Sequence, residues 1–164
     1  MTPIADKNAL ELLDADHIAV KHLFVEYARL ANAATQASAS ERRELAANIC
    51  QELSVHAQIE EEVFYPAVRK AVPDAAALLD EAQDEHQKVK DLVARIEGLD
   101  GAGSQMDNLV AQLARLVEHH VKEERDELFP KAKTGKALDL ADLGAQLRER
   151  QQALQPGMAA AQPA

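Results

Sequence analysis

Two segments of the chain spell the same device, His56-Ala-Gln-Ile-Glu60 and His120-Val-Lys-Glu-Glu124, each followed by a proline ten residues after its histidine, Pro66 and Pro130. On a helix, residues four apart lie on one face a turn apart, so each pair presents an imidazole nitrogen and a carboxylate oxygen to a common point. Those are metal-binding donors. A further histidine stands upstream of each copy, in Asp16-His17-Ile-Ala-Val20-Lys21 and in Glu85-His86-Gln-Lys-Val89-Lys90. The chain therefore reads as a duplicated helical hairpin whose candidate metal ligands are His17, His56, Glu60, His86, His120 and Glu124.

Burying two ionised glutamates among imidazoles without compensation costs several kcal/mol per charged group, on the order of magnitude known for buried ions, so such a core calls for a metal or for extensive protonation, and the metal is the expectation. Nitrogen and carboxylate donors without cysteine suit iron, manganese or zinc, and six side chains with two potential bridges suit a pair of ions better than one. The duplication implies a symmetric assignment. His17 and His56 serve one ion, His86 and His120 the other, and Glu60 and Glu124 bridge both.

The elements that must position these residues are helices. Hydrophobic residues make up 47% of the 164 residues but aromatics only 3%, and the abundance of Ala, Leu, Glu and Gln favours helix over sheet. Helices are expected over about residues 8–37, 40–72 with a perturbation at Pro66, 74–97 and 104–133, with a shorter one over about 138–154 held by Leu140, Leu143 and Leu147. Ser38-Ala-Ser-Glu41 and Ser104-Gln-Met-Asp107 resemble capping signals, Pro73-Asp74 restarts the chain, and Gly98, Gly101 and Gly103 break it. The expected fold is all-α, an up-down-up-down four-helix bundle over residues 1–135, with a short fifth C-terminal helix in an accessory segment, 136–155, and a disordered tail, 156–164.

Phase and height both place the six residues together. Steps of three and four trace Leu10, Leu13, His17, Val20, Phe24 and Tyr27 on the first helix, and Leu45, Ile49, Leu53, His56 and Glu60 on the second. The same stripe runs through Leu79, Ala82, His86, Val89, Val93 and Ile96, then through Leu109, Leu113, Leu116, His120 and Glu124. His17 precedes the turn near Ser38 by 21 residues and His56 follows it by 18, while Glu60 and His86 each stand 13 residues from Pro73. At about 1.5 Å per residue, antiparallel neighbours then deliver their ligands at one level.

This pattern resembles the hemerythrin-like, or HHE cation-binding, family over roughly residues 8–131. The likeness is carried by His17, by His56 and Glu60 with Phe64-Tyr65-Pro66, by His86, and by His120 and Glu124 with Leu128-Phe129-Pro130. It implies an oxo- or hydroxo-bridged pair of non-haem irons that meets O2, peroxide or nitric oxide. The oxygen carriers of the family have a further histidine one turn after the third-helix ligand, where this chain has Lys90, and an Asp five residues after the last histidine, where this chain has Glu124 at four. These departures favour a redox, peroxide-handling, nitric-oxide-binding or iron-sensing role over bulk O2 carriage; the alternatives are a reversible carrier and a metal-responsive interaction protein with structural metals. A ferritin-like oxidase is disfavoured, because the Glu-x-x-His pairs of that fold are absent at Leu53, Gln83 and Val117.

Other residues invite a blander reading. His119 with Glu123 and His22 with Glu26 also spell His-x-x-x-Glu, but their phase puts them at the surface. Glu61 belongs to a solvated acidic face or to the outer shell of the site. Tyr27 and Tyr65 are read as packing residues, Tyr65 with the lesser claim of donating a hydrogen bond into the site, and Cys50 as a small apolar residue. The net charge of −10 disfavours nucleic acid and anionic membranes as partners, and no stretch approaches the roughly 20 apolar residues of a membrane span. A cytoplasmic protein with a small diatomic ligand or peroxide as partner is the expectation.

Overall fold

The computed structural model describes residues 7–33 and 38–155. Among them the chain is helical without a strand: α1 (Ala9–Asn32), α2 (Ala39–Ile59), α3 (Tyr65–Ala71), α4 (Ala76–Glu97), α5 (Ser104–Glu123), α6 (Phe129–Lys133) and α7 (Leu140–Leu154). The expected end of the first helix, 34–37, and the tail expected to be disordered lie outside the described residues. α1 packs on α2 and α5, and α4 packs on α5 and α2, so the four long helices enclose one interior.

That interior is divided. One apolar cluster contains Leu13, Ile59, Ala82 and Leu128, and a second contains Val20, Leu53, Val89 and Leu113. His17 lies in sequence between Leu13 and Val20, His56 between Leu53 and Ile59, His86 between Ala82 and Val89, and His120 between Leu113 and Leu128. The candidate ligands therefore form a polar layer between two hydrophobic plugs, which exclude water from it on both sides.

The second and fourth long helices do not run evenly past the layer. Glu60–Phe64 and Glu124–Leu128 are π-helical, with the Tyr65 and Phe129 amides reaching back five residues to the Glu60 and Glu124 carbonyls. Pro66 and Pro130 explain the widening: each lacks an N–H, and its ring presses on the carbonyl four residues earlier. The perturbation expected at Pro66 thus lies just upstream of it, and it has a twin in the stretch 104–133, where one regular helix is expected from the sequence.

Helix starts follow local chemistry in part. Asn8 and Glu11 form a capping box on α1, the Asn8 side chain accepting from the Glu11 amide at 3.0 Å and Glu11 accepting from the Asn8 amide at 3.1 Å. Asp107, read as part of a capping signal, has another partner. Its two carboxylate oxygens both accept from Nη1 of the buried Arg42 guanidinium, at 3.0 and 2.9 Å, and Oδ1 also accepts from the Tyr27 hydroxyl at 2.7 Å. A buried guanidinium requires a carboxylate, and this pairing ties α5 to α1 and α2. Tyr27 is accordingly more than packing.

α7 lies across the start of α1, with Leu143 and Leu147 buried and Leu140 partly so. Gly144 makes the close approach possible, since a Cβ there would stand 2.6 Å from the Lys7 carbonyl oxygen. Gly144→Ala therefore sets two effects against each other. Helix propensity favours Ala by about 1 kcal/mol, but overpacking against rigid backbone costs about 1–3 kcal/mol. The expected outcome is a lowered thermal midpoint; a raised one would show that α7 does not press on α1 this closely.

Candidate metal centre

Four imidazoles and two carboxylates meet in the polar layer. The Nε2 atoms of His17 and His56 are 3.2 Å apart, as are those of His86 and His120. Glu60 Oε1 stands 3.3 Å from His56 Nε2, 3.1 Å from His86 Nε2 and 3.9 Å from His120 Nε2. Glu124 Oε1 stands 3.1 Å from His17 Nε2 and 3.5 Å from His120 Nε2. Each carboxylate therefore reaches both histidine pairs. Donor atoms of His17, His56, Glu60 and Glu124 form one compact group, and those of Glu60, His86 and His120 a second that shares Glu60 with the first.

The side chains fit a cation better than they fit one another. Glu60 is 0% exposed and Glu124 1%, yet Glu60 Oε2 and Glu124 Oε1 have no hydrogen-bond partner of acceptable geometry. Buried carboxylate oxygens are normally satisfied. Burial would by itself push His56, His86 and His120 towards the neutral form, but the facing carboxylates outweigh it. His56 is held well above the usual imidazole range by Glu60 and Asp16, His86 is raised by Glu60 and Glu61, and His120 is raised to about 10 by Glu124, Glu60 and Glu85. Glu60, despite its burial, is held well below the carboxylate range by His56, His120 and His86. Protons thus stand in for positive charge that an ion bound to neutral imidazoles would supply, and such binding releases them.

A second ring of carboxylates faces the outer nitrogens. Asp16 Oδ2 is 3.1 Å from His56 Nδ1, Glu61 Oε2 is 3.0 Å from His86 Nδ1, and Glu85 Oε1 is 2.8 Å from His120 Nδ1. For His17 the nearest is Asp14 Oδ1, at 3.7 Å from Nδ1, and Arg125 Nε also approaches that oxygen at 3.4 Å. The three shorter contacts favour a proton on Nδ1 of His56, His86 and His120 and aim their Nε2 atoms inward, as in ligating histidines generally. Of this ring the sequence reading had only Glu61. Asp16 and Glu85, each adjacent to an upstream histidine, carried a signal in their matching positions.

Tyr65 is the residue that sequence reasoning most undervalued. Its hydroxyl donates to Glu124 Oε2 at 2.8 Å and to Glu60 Oε1 at 3.3 Å, and lies 3.2 Å from His86 Nε2. Burial and the two carboxylates push its ionisation well above the usual tyrosine range, so it remains a proton donor. The equivalent position in the second copy is Phe129, which stacks on His17 with ring centroids 6.0 Å apart. The two halves of the centre are therefore chemically unequal.

Lys90 turns away from the layer, donating to Glu61 Oε1 at 2.7 Å. His22 is exposed, and His119 is at the surface, though it contacts Glu85 and Glu123. Cys50 is buried, and burial together with the Glu97 charge raises its thiol to about 12, which leaves it inert. No helix among the described residues is long and apolar enough to cross a membrane.

Known proteins resemble this chain to different extents. A protein from Nostoc sp. named a DNA nickase is 30% identical over 125 residues, covering 76% of this chain and 33% of its own length. The chain thus spans about a third of that relative. The crystal structure of a hemerythrin HHE cation-binding domain-containing protein from Mycobacterium kansasii superposes with a TM-score of 0.75 at 23% identity, covering 94% of this chain and 91% of the other. Residues 8–132 match the family described as the Hemerythrin HHE cation binding domain, and with three-quarters of its length inside that match the chain belongs to the hemerythrin HHE cation-binding family.

Proposed function

We propose that the protein is a hemerythrin-like di-iron protein whose centre reacts with O2, peroxide or nitric oxide in a redox or sensing role. The observation that carries this reading is the pair of fully buried glutamates, each with one oxygen that lacks a hydrogen-bond partner, whose carboxylates stand among four inward Nε2 atoms. In an up-down-up-down bundle, His17 and His56 would hold one iron, His86 and His120 the other, and Glu60 and Glu124 would be shared. Iron, when bound, supplies the one-electron couple that O2 and nitric oxide require. Donors of nitrogen and oxygen alone also admit manganese or zinc, and the redox role favours iron.

The chain's own residues supply the rest. Asp16, Glu61 and Glu85 hold three imidazoles in one tautomer, and Tyr65 places a hydroxyl proton between Glu124 and His86. A cavity of about 30 Å³, bounded by the four histidines with Val20, Leu53, Ala57, Val89, Val117 and Val121, lies beside the ligands. Its size suits a diatomic molecule. A wider groove of about 670 Å³ between α1 and α5 shares His17, Val20, Val117 and Val121 with it, which offers a small ligand a route from solvent.

Purified without chelator, the protein is expected to carry close to two irons per chain, counted by metal analysis beside an optical spectrum. His120→Ala should lose iron, whereas His119→Ala and His22→Ala should retain the content and the spectrum. A reversal between His119 and His120 would reject the register of α5. The nickase relative makes nucleic acid a second class of partner to examine. The net charge of −10 opposes phosphate binding and ranks it behind a small ligand, and a plasmid-nicking assay of the iron-loaded protein separates the two.

A further inference from the structure

The two copies of the His-x-x-x-Glu device differ in the residue before each member. Ahead of His56 and Glu60 stand Val55 and Ile59, both buried in the cluster that includes Leu143 and Leu147 of α7. Ahead of His120 and Glu124 stand His119 and Glu123. The second copy is therefore a double device, the same imidazole and carboxylate repeated one residue earlier and turned about 100° around α5. Among the described residues no helix equivalent to α7 covers it: the His119 side chain is 61% exposed and that of Glu123 25%.

α4 completes the outer pair. His119 Nε2 lies 3.1 Å from Glu123 Oε1 and 3.3 Å from Glu85 Oε2, and the donor atoms of the three lie within 4.8 Å of one another. Glu85 faces both ways, since its other oxygen is 2.8 Å from Nδ1 of His120. In the first copy the matching carboxylate, Asp16, is instead capped by Gln151 of α7 at 3.0 and 3.3 Å. One approach to the centre is thus closed by a helix, and the other ends in an imidazole and two carboxylates.

We infer that His119, Glu123 and Glu85 form a surface site for a divalent transition-metal ion, from which the buried centre is loaded. The donor set of one nitrogen and two carboxylates suits Fe²⁺, Mn²⁺, Co²⁺ or Zn²⁺ and leaves positions for water, so the ion is held loosely enough to move on. The loading role rests on the buried metal centre proposed above; binding at the surface does not.

Titration of the iron-loaded protein with Co²⁺, followed by visible absorption, tests the binding. Wild type is expected to take up one further Co²⁺ per chain, and His119→Ala and Glu123→Ala should each weaken that uptake by roughly tenfold or more. His22→Ala should leave it unchanged. For protein first stripped of metal, His119→Ala should slow Fe²⁺ loading by about tenfold, the lower end of the rate gain that a local field provides, while reaching the same final iron content. Absence of the additional Co²⁺, or loading and uptake unaffected in both variants, would overturn the proposal. His120→Ala keeps the two readings apart: lost iron with retained surface Co²⁺ supports both, whereas retained iron rejects the buried centre and leaves the surface site standing.

Discussion

Replacing Glu60 with alanine is expected to remove both irons, although it deletes a single ligand residue. Glu60 Oε1 lies within reach of His56, His86 and His120, so its loss would take a shared ligand and one negative charge from both ions at once, which neutral imidazoles would not replace. Glu124→Ala should behave alike through His17 and His120. Glu61→Ala, which removes only an outer partner of His86, should retain the iron and weaken its affinity by about 10–100-fold. The stability effect is large. An ion present at about a thousandfold its dissociation constant contributes roughly 4 kcal/mol, and at 2–4 °C per kcal/mol that is on the order of 10 °C in thermal midpoint for a chain of this size. A chelator should lower the wild-type midpoint by that amount and leave Glu60→Ala where it is. A wild-type midpoint indifferent to chelation, or a Glu60→Ala protein with full iron, would reject the centre.

How much of this was readable in the sequence depends on the range of each signal. The inward placement of His17, His56, Glu60, His86, His120 and Glu124 was legible because a three-four stripe is a local property of each helix, and all six are buried along it. The height match added the one long-range constraint that turn positions supply. Tyr65 was not legible for a geometric reason. On a regular helix, five residues turn a side chain roughly 140° from Glu60, which points Tyr65 away from the layer. The π-helical turn at Glu60–Phe64 absorbs an extra residue and brings it back. The prolines were visible, but proline alone does not say whether a helix kinks, ends or widens.

The inequality of the two halves was less readable still, since it comes from contacts across the fold. Glu61 in the first copy corresponds to Arg125 in the second; one faces His86 and Lys90, the other Asp14. Asp16 meets Gln151, 135 residues away, and Arg42 meets Asp107, 65 residues away. No periodicity encodes such pairings. A duplication makes the copies look interchangeable, and what distinguishes them lies in the residues beside the repeated motif.

That inequality shapes the expected reaction with oxygen. In the proposed centre two histidines and two shared carboxylates would offer each iron four protein ligands, which would leave room for small molecules to bind. Where the oxygen carriers add a histidine, Lys90 is drawn outward to Glu61, and a protonated amine has no lone pair to offer. The Tyr65 hydroxyl oxygen, which stays protonated, lies 2.8 Å from Glu124 Oε2 and 3.2 Å from His86 Nε2. An open coordination position with a proton donor beside it would favour reduction of O2 over its storage: two ferrous ions would supply two electrons, and two protons, relayed by Tyr65 and drawn from solvent, would let the product leave as hydrogen peroxide. The reduced di-iron protein is therefore expected to consume O2 and reach its oxidised spectrum within one mixing experiment. Tyr65→Phe, which keeps the ring and removes the proton, should slow that step by about 10²-fold or more, the scale of a positioned acid, with iron content unchanged. Stopped-flow absorption after mixing with O2 measures both. A product that persists for hours and gives back its O2 under vacuum would make the protein a carrier, and an equal rate in Tyr65→Phe would leave the hydroxyl as a structural bond between two carboxylates.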